Sequence, residues 1–228
     1  MNDVEQSASG TGSDVATWTF DGLSPGLYRV AATWPPHSNR ATDSPFTVFD
    51  GTSALGTFDL NQELTPSELS DQNAFWNFIG NEAFPIASNT LVVELSDNAN
   101  QNVIADAVRI ERVGDLGPTA VPGGPYVIDE GQSLTLDGSG STDPGGDPLT
   151  YVWDLDNNGT TDVTGVNPTV PWSVLASLGL ASDGTPRPIV LRVDDNESGS
   201  HTESTILTIN NLGPTAVPGG PYVIDEGQ

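Results

Sequence analysis

The sequence predicts an all-β chain that forms two β-sandwich domains in tandem, with one short helical turn. Apolar and polar residues alternate over many short runs, which is typical of half-buried strands. The 25 glycines and 18 prolines cluster between those runs, where they favour turns. With 228 residues, the chain has room for about two domains of ordinary size.

Strand signals in the first half of the chain begin with a predicted hairpin at residues 14–34. Trp18 and Phe20 alternate with threonines, a turn follows at 21–26, and a second alternating run places Tyr28, Val30 and Trp34 on one face. Further strands are predicted at 45–49, 54–60, 75–84, 90–95 and 103–113. A sandwich is the economical arrangement for so many short strands.

A run of seventeen residues, LGPTAVPGGPYVIDEGQ, occurs twice, beginning at Leu116 and at Leu212, 96 residues later. Repetition at a fixed period is typical of tandem modules, and this period is the size of a small domain. The expected organisation is a first sandwich at 1–113, a linker at 114–117, a second sandwich at 118–211 and the first strands of a truncated further repeat at 212–228. The short linkers combine Gly with Pro, which predicts a semi-rigid array.

The second sandwich is predicted from strand signals that follow the first copy of the repeat. They lie at 119–121, 126–129, 133–137, 149–154, 188–194 and 202–209. Between them, Trp172, Leu175 and Leu178 recur at a spacing of three, and Gly179 follows. This spacing predicts a short helical turn that stops at the glycine.

The charge balance excludes several classes of partner. Acidic residues outnumber basic ones 31 to 6, and the net charge is -25. No basic stripe is available to neutralise phosphates, so nucleic acid is not an expected partner, and the same holds for an anionic membrane surface. No run of 18 apolar residues predicts membrane insertion in this piece. Cysteine is absent, which excludes disulfides and thiolate metal sites.

The first domain carries three distinctive stretches: ATWTF at 16–20, WPPHSNRAT at 34–42 and LVVELSDNANQNVIADAVRIERV at 91–113, with a strand around Trp76 between the last two. With these residues it resembles the golvesin or xanthan-lyase type carbohydrate-binding-like domain of bacterial secreted proteins. The resemblance implies a jelly-roll-like or similar sandwich. It also implies an additional opening segment, so N-terminal strands are expected to be missing from this piece.

Candidate sugar-binding residues of the first domain combine aromatic faces with planar polar side chains, the usual mixture in sugar sites. They are Trp34, His37, Asn39, Arg40 and Trp76. The alternative is that Trp34 and Trp76 pack in the core, and that Arg40 pairs with Asp43 or Asp106.

The second domain carries the segment GPYVIDEGQSLTLDGSGSTDPGGDPLTYVWDLDNNG at 124–159 and LRVDDNESG at 191–199. It resembles the polycystic-kidney-disease (PKD) type domain, with Tyr151, Trp153 and Asp154 at the family's aromatic-x-Trp-Asp strand. The resemblance implies an immunoglobulin-like sandwich, common in tandem on bacterial surfaces and sometimes calcium-bound at its acidic loops. Trp153 is interpreted as a core residue.

The first acidic candidate lies in the segment DLDNNGTTD. Oxygen-bearing side chains at alternate positions and a glycine at the sixth reproduce the first half of a calcium loop. The candidate Ca²⁺ ligands are Asp154, Asp156, Asn158 and Asp162. The twelfth position is Gly165 where a bidentate Glu would be needed, so a site here would be open and weak. The alternative is a plain turn whose polar side chains bond to their own backbone.

The second acidic candidate combines two loops expected at the same pole of an immunoglobulin-like sandwich. Its Ca²⁺ ligands would be Asp143, Asp147, Asp194, Asp195 and Glu197. Carboxylates crowded there would repel one another, and bound Ca²⁺ would relieve the repulsion and could stiffen the joint to the first domain. The alternative is that the charges keep the loops solvated.

Enzyme signatures are not found in the sequence. The only histidines, His37 and His201, fall in different predicted domains, and no nucleophile or zinc motif accompanies them. The leading hypothesis is a non-catalytic adhesion or spacer segment of a large exported protein, secreted or on the cell surface, with its signal peptide outside this piece. The alternative is a carbohydrate-targeting appendage of a secreted polysaccharide- or protein-degrading enzyme. Expected partners are extracellular glycans or neighbouring repeats.

Overall fold

The computed structural model describes residues 4–180, 182–196, 199–213 and 219. The regular secondary structure of these residues is entirely β apart from a single short helix. The chain divides into two compact units. The first comprises Met1–Thr119, Thr142–Leu149 and Asp194–His201, and the second comprises Ala120–Ser141, Thr150–Val193 and Thr202–Gln228. The predicted all-β class is confirmed.

Among the described residues of the first unit, eleven strands lie in its N-terminal part. They are β1 (Glu5–Ser7), β2 (Val15–Asp21), β3 (Gly26–Thr33), β4 (Ser44–Asp50), β5 (Ser53–Leu60), β6 (Leu69–Asp71), β7 (Ala74–Phe78), β8 (Phe84–Ile86), β9 (Thr90–Ser96), β10 (Val103–Ala105) and β11 (Ala107–Gly114). One sheet has the order β2-β9-β4-β5, a second has the order β11-β3-β7-β6 with β8 also paired to β3, and β1 pairs with β10.

The predicted hairpin at 14–34 is wrong. Both of its strands exist, but β2 pairs with β9, where Trp18 lies opposite Val93, and β3 pairs with β11, where Val30 lies opposite Ile110. Alternation shows which face of a strand is buried but not which strand lies beside it. The turn between β2 and β3 therefore passes from one sheet to the other.

The core of the first unit is formed by residues that alternate along both sheets. Buried members come from β3, β4 and β9, such as Val30, Phe46 and Val93. A buried amide is also present: Gln62 donates to the carbonyl of Ile104 and accepts from the amide of Ile104, both at 2.8 Å. Both polar ends of this side chain are thus satisfied, and the segment after β5 is tied to β10.

The remaining elements are seven strands and one helix. They are β12 (Tyr126–Asp129), β13 (Leu134–Thr135), β14 (Thr150–Asp154), β15 (Val163–Thr164), β16 (Thr169–Val170), α1 (Trp172–Ser177), β17 (Arg187–Asp194) and β18 (Ser200–Asn210). One sheet has the order β12-β18-β17-β14-β15, and β13 pairs with β16. The strand β12 runs parallel to β18. Two tandem sandwiches, as predicted, account for these sheets.

The interpretation of Trp153 as a core residue is confirmed. The side chain is fully buried, and its Nε1 donates to the carbonyl of Gly165 at 3.0 Å. The predicted helical turn is also confirmed as α1, which buries Leu175. Gly179 follows it with φ +71°, a left-handed conformation that glycine adopts without strain.

Several predicted strands are shorter than expected or interrupted. The run 75–84 divides into β7 and β8 around Gly80, whose φ is +74°, and the run 103–113 divides at Asp106. The run 119–121 forms only an isolated bridge between Thr119 and Thr142. The strands predicted at 215–217 and 222–225, in the second copy of the repeat, lie outside the described residues.

Candidate functional site

Three carboxylates of the first unit converge on one point. Asp115 comes directly after β11, while Asp143 and Asp147 belong to the loop at 142–149. One oxygen from each lies within 4.8 Å of the others. Two oxygens bound to one Ca²⁺ lie at most about 5 Å apart, because each Ca–O distance is about 2.3–2.6 Å. The separation therefore suits a shared cation, and we call these three residues the acidic cluster.

The loop geometry of the acidic cluster follows from its sequence, STDPGGDP. Gly146 has φ +80°, and its amide donates to the carbonyl of Asp143 at 3.2 Å. The amide of Asp147 donates to Oδ1 of Asp143 at 3.0 Å. This tight turn places the side chains of Asp143 and Asp147 on the same side of the loop.

Two oxygens of the acidic cluster are buried without a hydrogen-bond partner among the described residues, namely Oδ2 of Asp115 and Oδ2 of Asp143. The Asp115 side chain is only 3% exposed, and its Oδ1 accepts from the Arg112 guanidinium. A buried polar atom without a partner costs about 1–3 kcal/mol, and more when it is charged. Three carboxylates and one guanidinium leave two negative charges, which one divalent cation would neutralise.

The other residues predicted for this site are not among the converging carboxylates or lie outside the described residues. Asp194 ends β17, and Asp195 is 1% exposed, with its Oδ1 accepting from the amide of Gly199 at 2.9 Å. Neither belongs to the described carboxylates that converge. Glu197 lies outside the described residues. Asp115 was missed because the sequence places it in a linker, far along the chain from Asp143.

A second group of carboxylates, Asp154, Asp156 and Asp162, also has oxygens within 4.8 Å of one another. Here backbone amides already occupy the oxygens. Asp154 accepts from Asn158 and Gly159, at 3.1 and 2.7 Å, and Asp162 accepts from the amide of Leu155 at 2.7 Å. These bonds are those of a turn rich in Asp and Asn. The hydrogen bonds therefore favour the plain-turn alternative, and Ca²⁺ binding by this loop stays a prediction.

The sugar-binding candidates separate into a buried residue, a polar group and a sheet residue. Trp34 is 3% exposed in the core, and its Nε1 donates to the carbonyl of Leu64 at 2.9 Å. The exposed side chains of His37 and Asn39 meet at 2.7 Å, and Arg40 donates to Asn39 at 3.1 Å. A buried ring offers no face to a sugar, so Trp34 is not a sugar-binding residue. The prediction of sugar binding then applies only to His37, Asn39, Arg40 and Trp76.

Trp76, the fourth of these, lies on β7 opposite Leu69 of β6. It is partly exposed, and its Nε1 donates to the carbonyl of Asp71 at 3.3 Å. Arg40 forms no ion pair with Asp43, Asp106 or any other described carboxylate. The ion pair offered as an alternative for Arg40 is therefore not formed. Burial raises the pKa of the Asp106 carboxyl.

Family models match both parts of the chain. A model described as the Golvesin C-terminal domain matches residues 2–112, and one described as the PKD domain matches residues 116–173. The chain carries a golvesin domain followed by a PKD domain. Both resemblances noted in the sequence are thereby confirmed. Golvesin and PKD domains are accessory, non-catalytic module types typical of extracellular proteins.

Solved structures with similarity to the chain include two bacterial proteins and one from an animal. A Paenibacillus xanthan lyase is 30% identical over 46% of this chain and 9% of its own, with a TM-score of 0.35. A nucleoside hydrolase-related hypothetical protein from Saccharophagus degradans, associated with carbohydrate metabolism, is 22% identical over 43% and 26%, with a TM-score of 0.30. Extracellular domains 3–5 of Drosophila OTK are 13% identical over 77% and 60%, with a TM-score of 0.30.

The chain thus spans about a tenth of the length of the xanthan lyase and about a quarter of the length of the Saccharophagus protein. No curated protein matches it significantly. Among the residues that the structure describes, no helix has the length and apolar character needed to cross a membrane.

Proposed function

We propose that the chain is a non-catalytic adhesion or spacer segment of a large exported protein, and that Ca²⁺ bound by the acidic cluster stiffens it. The observation that carries the proposal is the pair of buried carboxylate oxygens without partners, Oδ2 of Asp115 and Oδ2 of Asp143. They occur in a chain built from accessory domain types and repeated sequence.

Calcium fits the acidic cluster better than a transition metal does. All three ligands are carboxylates, which are hard oxygen donors, and the described residues around them supply no histidine or thiolate. Asp115 extends the end of β11, whereas Asp143 and Asp147 lie on the loop at 142–149. A cation shared by the three would hold this strand end and this loop together. Rigidity of that kind is useful in a spacer that must keep a fixed length or transmit force.

Added Ca²⁺ is expected to raise the melting temperature of the chain, and EDTA is expected to reverse the rise. For a dissociation constant of about 1 mM, as in weak extracellular sites, about 10 mM Ca²⁺ stabilises the folded state by about 1.4 kcal/mol. Differential scanning calorimetry with and without Ca²⁺ measures the change.

The matched variants for this experiment are Asp143→Asn, in the acidic cluster, and Asp156→Asn, in the loop whose carboxylates bind backbone amides. The first should lose the Ca²⁺-dependent part of the shift, and the second should keep it. An unchanged melting temperature at 10 mM Ca²⁺ in the wild type, or an equal shift in Asp143→Asn, would contradict the proposal.

A second candidate function is the targeting of a secreted enzyme to a polysaccharide. It is favoured by the golvesin match and by the polar group His37, Asn39 and Arg40, whose side chains are already held by mutual hydrogen bonds. Preordered polar side chains lose little entropy when they bind a sugar.

If this polar group contacts a glycan, Arg40→Ala should weaken retention of the chain on the polysaccharide that it binds by about tenfold, because a guanidinium that bonds hydroxyls is removed. Retention is measured by affinity electrophoresis. Asp43→Ala, a nearby polar change, serves as the control. Equal retention of the wild type and Arg40→Ala would remove the polar group from consideration.

A further inference from the structure

One outward face of the golvesin domain carries aromatic rings and guanidinium groups in register. In the sheet β11-β3-β7-β6, Ala31 lies opposite Arg109 on one side and opposite Phe78 on the other. Paired residues share a face of the sheet. The neighbours of Ala31 along β3, Val30 and Ala32, belong to the core. Ala31, Arg109 and Phe78 therefore lie on the opposite face of the sheet, where Ala31 is itself buried, at 1% exposed, and Phe78 and Arg109 are partly exposed.

Residues two positions away on each strand lie on the same face. These are Arg29 and Thr33 on β3, and Trp76 on β7. Trp76 and Phe78 are partly exposed and are not among the hydrophobic residues packed against the core. We call Arg29, Trp76, Phe78 and Arg109 the outer platform.

The cations of the outer platform are held by contacts with neighbouring side chains. The guanidinium carbon of Arg29 lies 4.1 Å from the centre of the Phe78 ring, a cation–π arrangement. Arg109 pairs with Asp71 at 3.4 Å and with Glu111 at 3.3 Å. Arg29 forms no ion pair with any described carboxylate. Its N–H groups are therefore available over the face of an aromatic ring.

We propose that the outer platform binds a neutral polysaccharide, with one sugar ring stacked on Trp76 and the hydroxyls of a neighbouring sugar bonded by Arg29. Trp76 and Phe78 are two residues apart on β7, which separates them by about 6.6 Å along the strand. That separation is similar to the length of one sugar unit. The proposal rests on the second candidate function, glycan targeting, and gives it a site different from the polar group at 37–40.

The charges around the outer platform specify a neutral ligand. Asp71 and Glu111 offset Arg109, and a carboxylate oxygen of Glu68 accepts from the amide of Phe78 at 2.7 Å, which adds a further negative charge at this strand. A chain of net charge -25 also repels polyanions. Sugar hydroxyls both donate and accept, so they match a surface of guanidinium donors and carboxylate acceptors.

The test is affinity electrophoresis of the full chain through gels containing galactomannan, pullulan or hydroxyethylcellulose, with carboxymethylcellulose as the charged counterpart of the last. The wild type should be retarded by at least one neutral polymer and not by carboxymethylcellulose. Trp76→Ala and Arg29→Gln should each weaken this retention by at least about tenfold. Phe75→Ala, a more exposed aromatic change on the same strand but on the other face, should leave it unchanged.

Each other outcome is decisive. If both variants are retained as strongly as the wild type, the outer platform is not the binding site. Glycan binding itself then stands, and the polar group at 37–40 would account for it. If carboxymethylcellulose retains the wild type more strongly than the neutral polymers do, the proposal that the ligand is neutral is overturned. No retention of the wild type by any of the four polymers overturns both the platform and glycan targeting. Melting curves of the variants exclude misfolding, and Arg29→Gln decides the test if Trp76→Ala does not fold.

Discussion

Trp34→Ala is expected to destabilise the golvesin domain by about 3–5 kcal/mol, the usual cost of truncating a buried tryptophan. The ring is 3% exposed, and its Nε1 donates to the carbonyl of Leu64. Removing it leaves a cavity in the core and a carbonyl without its donor, and both effects lower stability. Hydrogen exchange of the buried amides of β3 and β4 measures the free energy of unfolding of this unit.

The control for Trp34→Ala is Trp76→Ala, the same chemical change on the partly exposed side of the sheet. It should cost about 1 kcal/mol, because a side chain outside the core leaves no large cavity. Equal losses for the two variants would show that Trp34 is not the core residue described above. The distinction matters for function, because loss of glycan binding in Trp34→Ala would report unfolding and not a lost sugar contact.

Trp153→Ala is expected to be as damaging in the second unit, at about 3–5 kcal/mol. Trp153 is fully buried on β14, and its Nε1 bonds to the carbonyl of Gly165. This bond links β14 to the segment that follows β15, so the variant loses packing and a connection between segments together. Exchange of the buried amides of β17 and β18 measures the loss.

Trp172→Ala is the matched control in the same unit. Trp172 opens α1 and is partly exposed. Its replacement should cost about 1 kcal/mol, since less apolar surface returns to water. If Trp153→Ala lowers the free energy of unfolding by only about 1 kcal/mol, as expected for Trp172→Ala, the core of this unit is centred on other residues.

Local alternation in the sequence predicts where strands lie but not how they pair. The strands β4, β5, β9 and β17 agree with the predicted runs to within two residues, because alternation extends through most of each strand. The pairing of β2 with β9 joins residues 69 to 81 positions apart, from Asp21 with Thr90 to Val15 with Ser96, and no local pattern contains such contacts. The break between β7 and β8 depends on the left-handed conformation of Gly80, and glycine is compatible with either a bulge or a break.

The candidate sites were predictable to different extents for the same reason. The turn chemistry of Asp154 and Asp162 is local, so the sequence already offered the interpretation that the hydrogen bonds support. The sequence predicts Asp143 and Asp147 of the loop as ligands, but Asp115 joins them only through the fold. Trp34 and Trp76 looked equivalent as aromatic candidates. Alternation groups Trp34 with Tyr28 and Val30, but only the register of β7 against β3 shows that Trp76 lies on the other face of the sheet.

The central claim is that Asp115, Asp143 and Asp147 hold one Ca²⁺, and equilibrium dialysis against ⁴⁵Ca²⁺ tests it most directly. The wild-type chain should bind about one ion with a dissociation constant of about 0.1–1 mM, the range of weak extracellular modules. Asp115→Asn should bind none in this range, and Asp156→Asn should bind as the wild type does. Absence of binding at millimolar Ca²⁺, or binding that survives Asp115→Asn and is lost in Asp156→Asn, would contradict the claim.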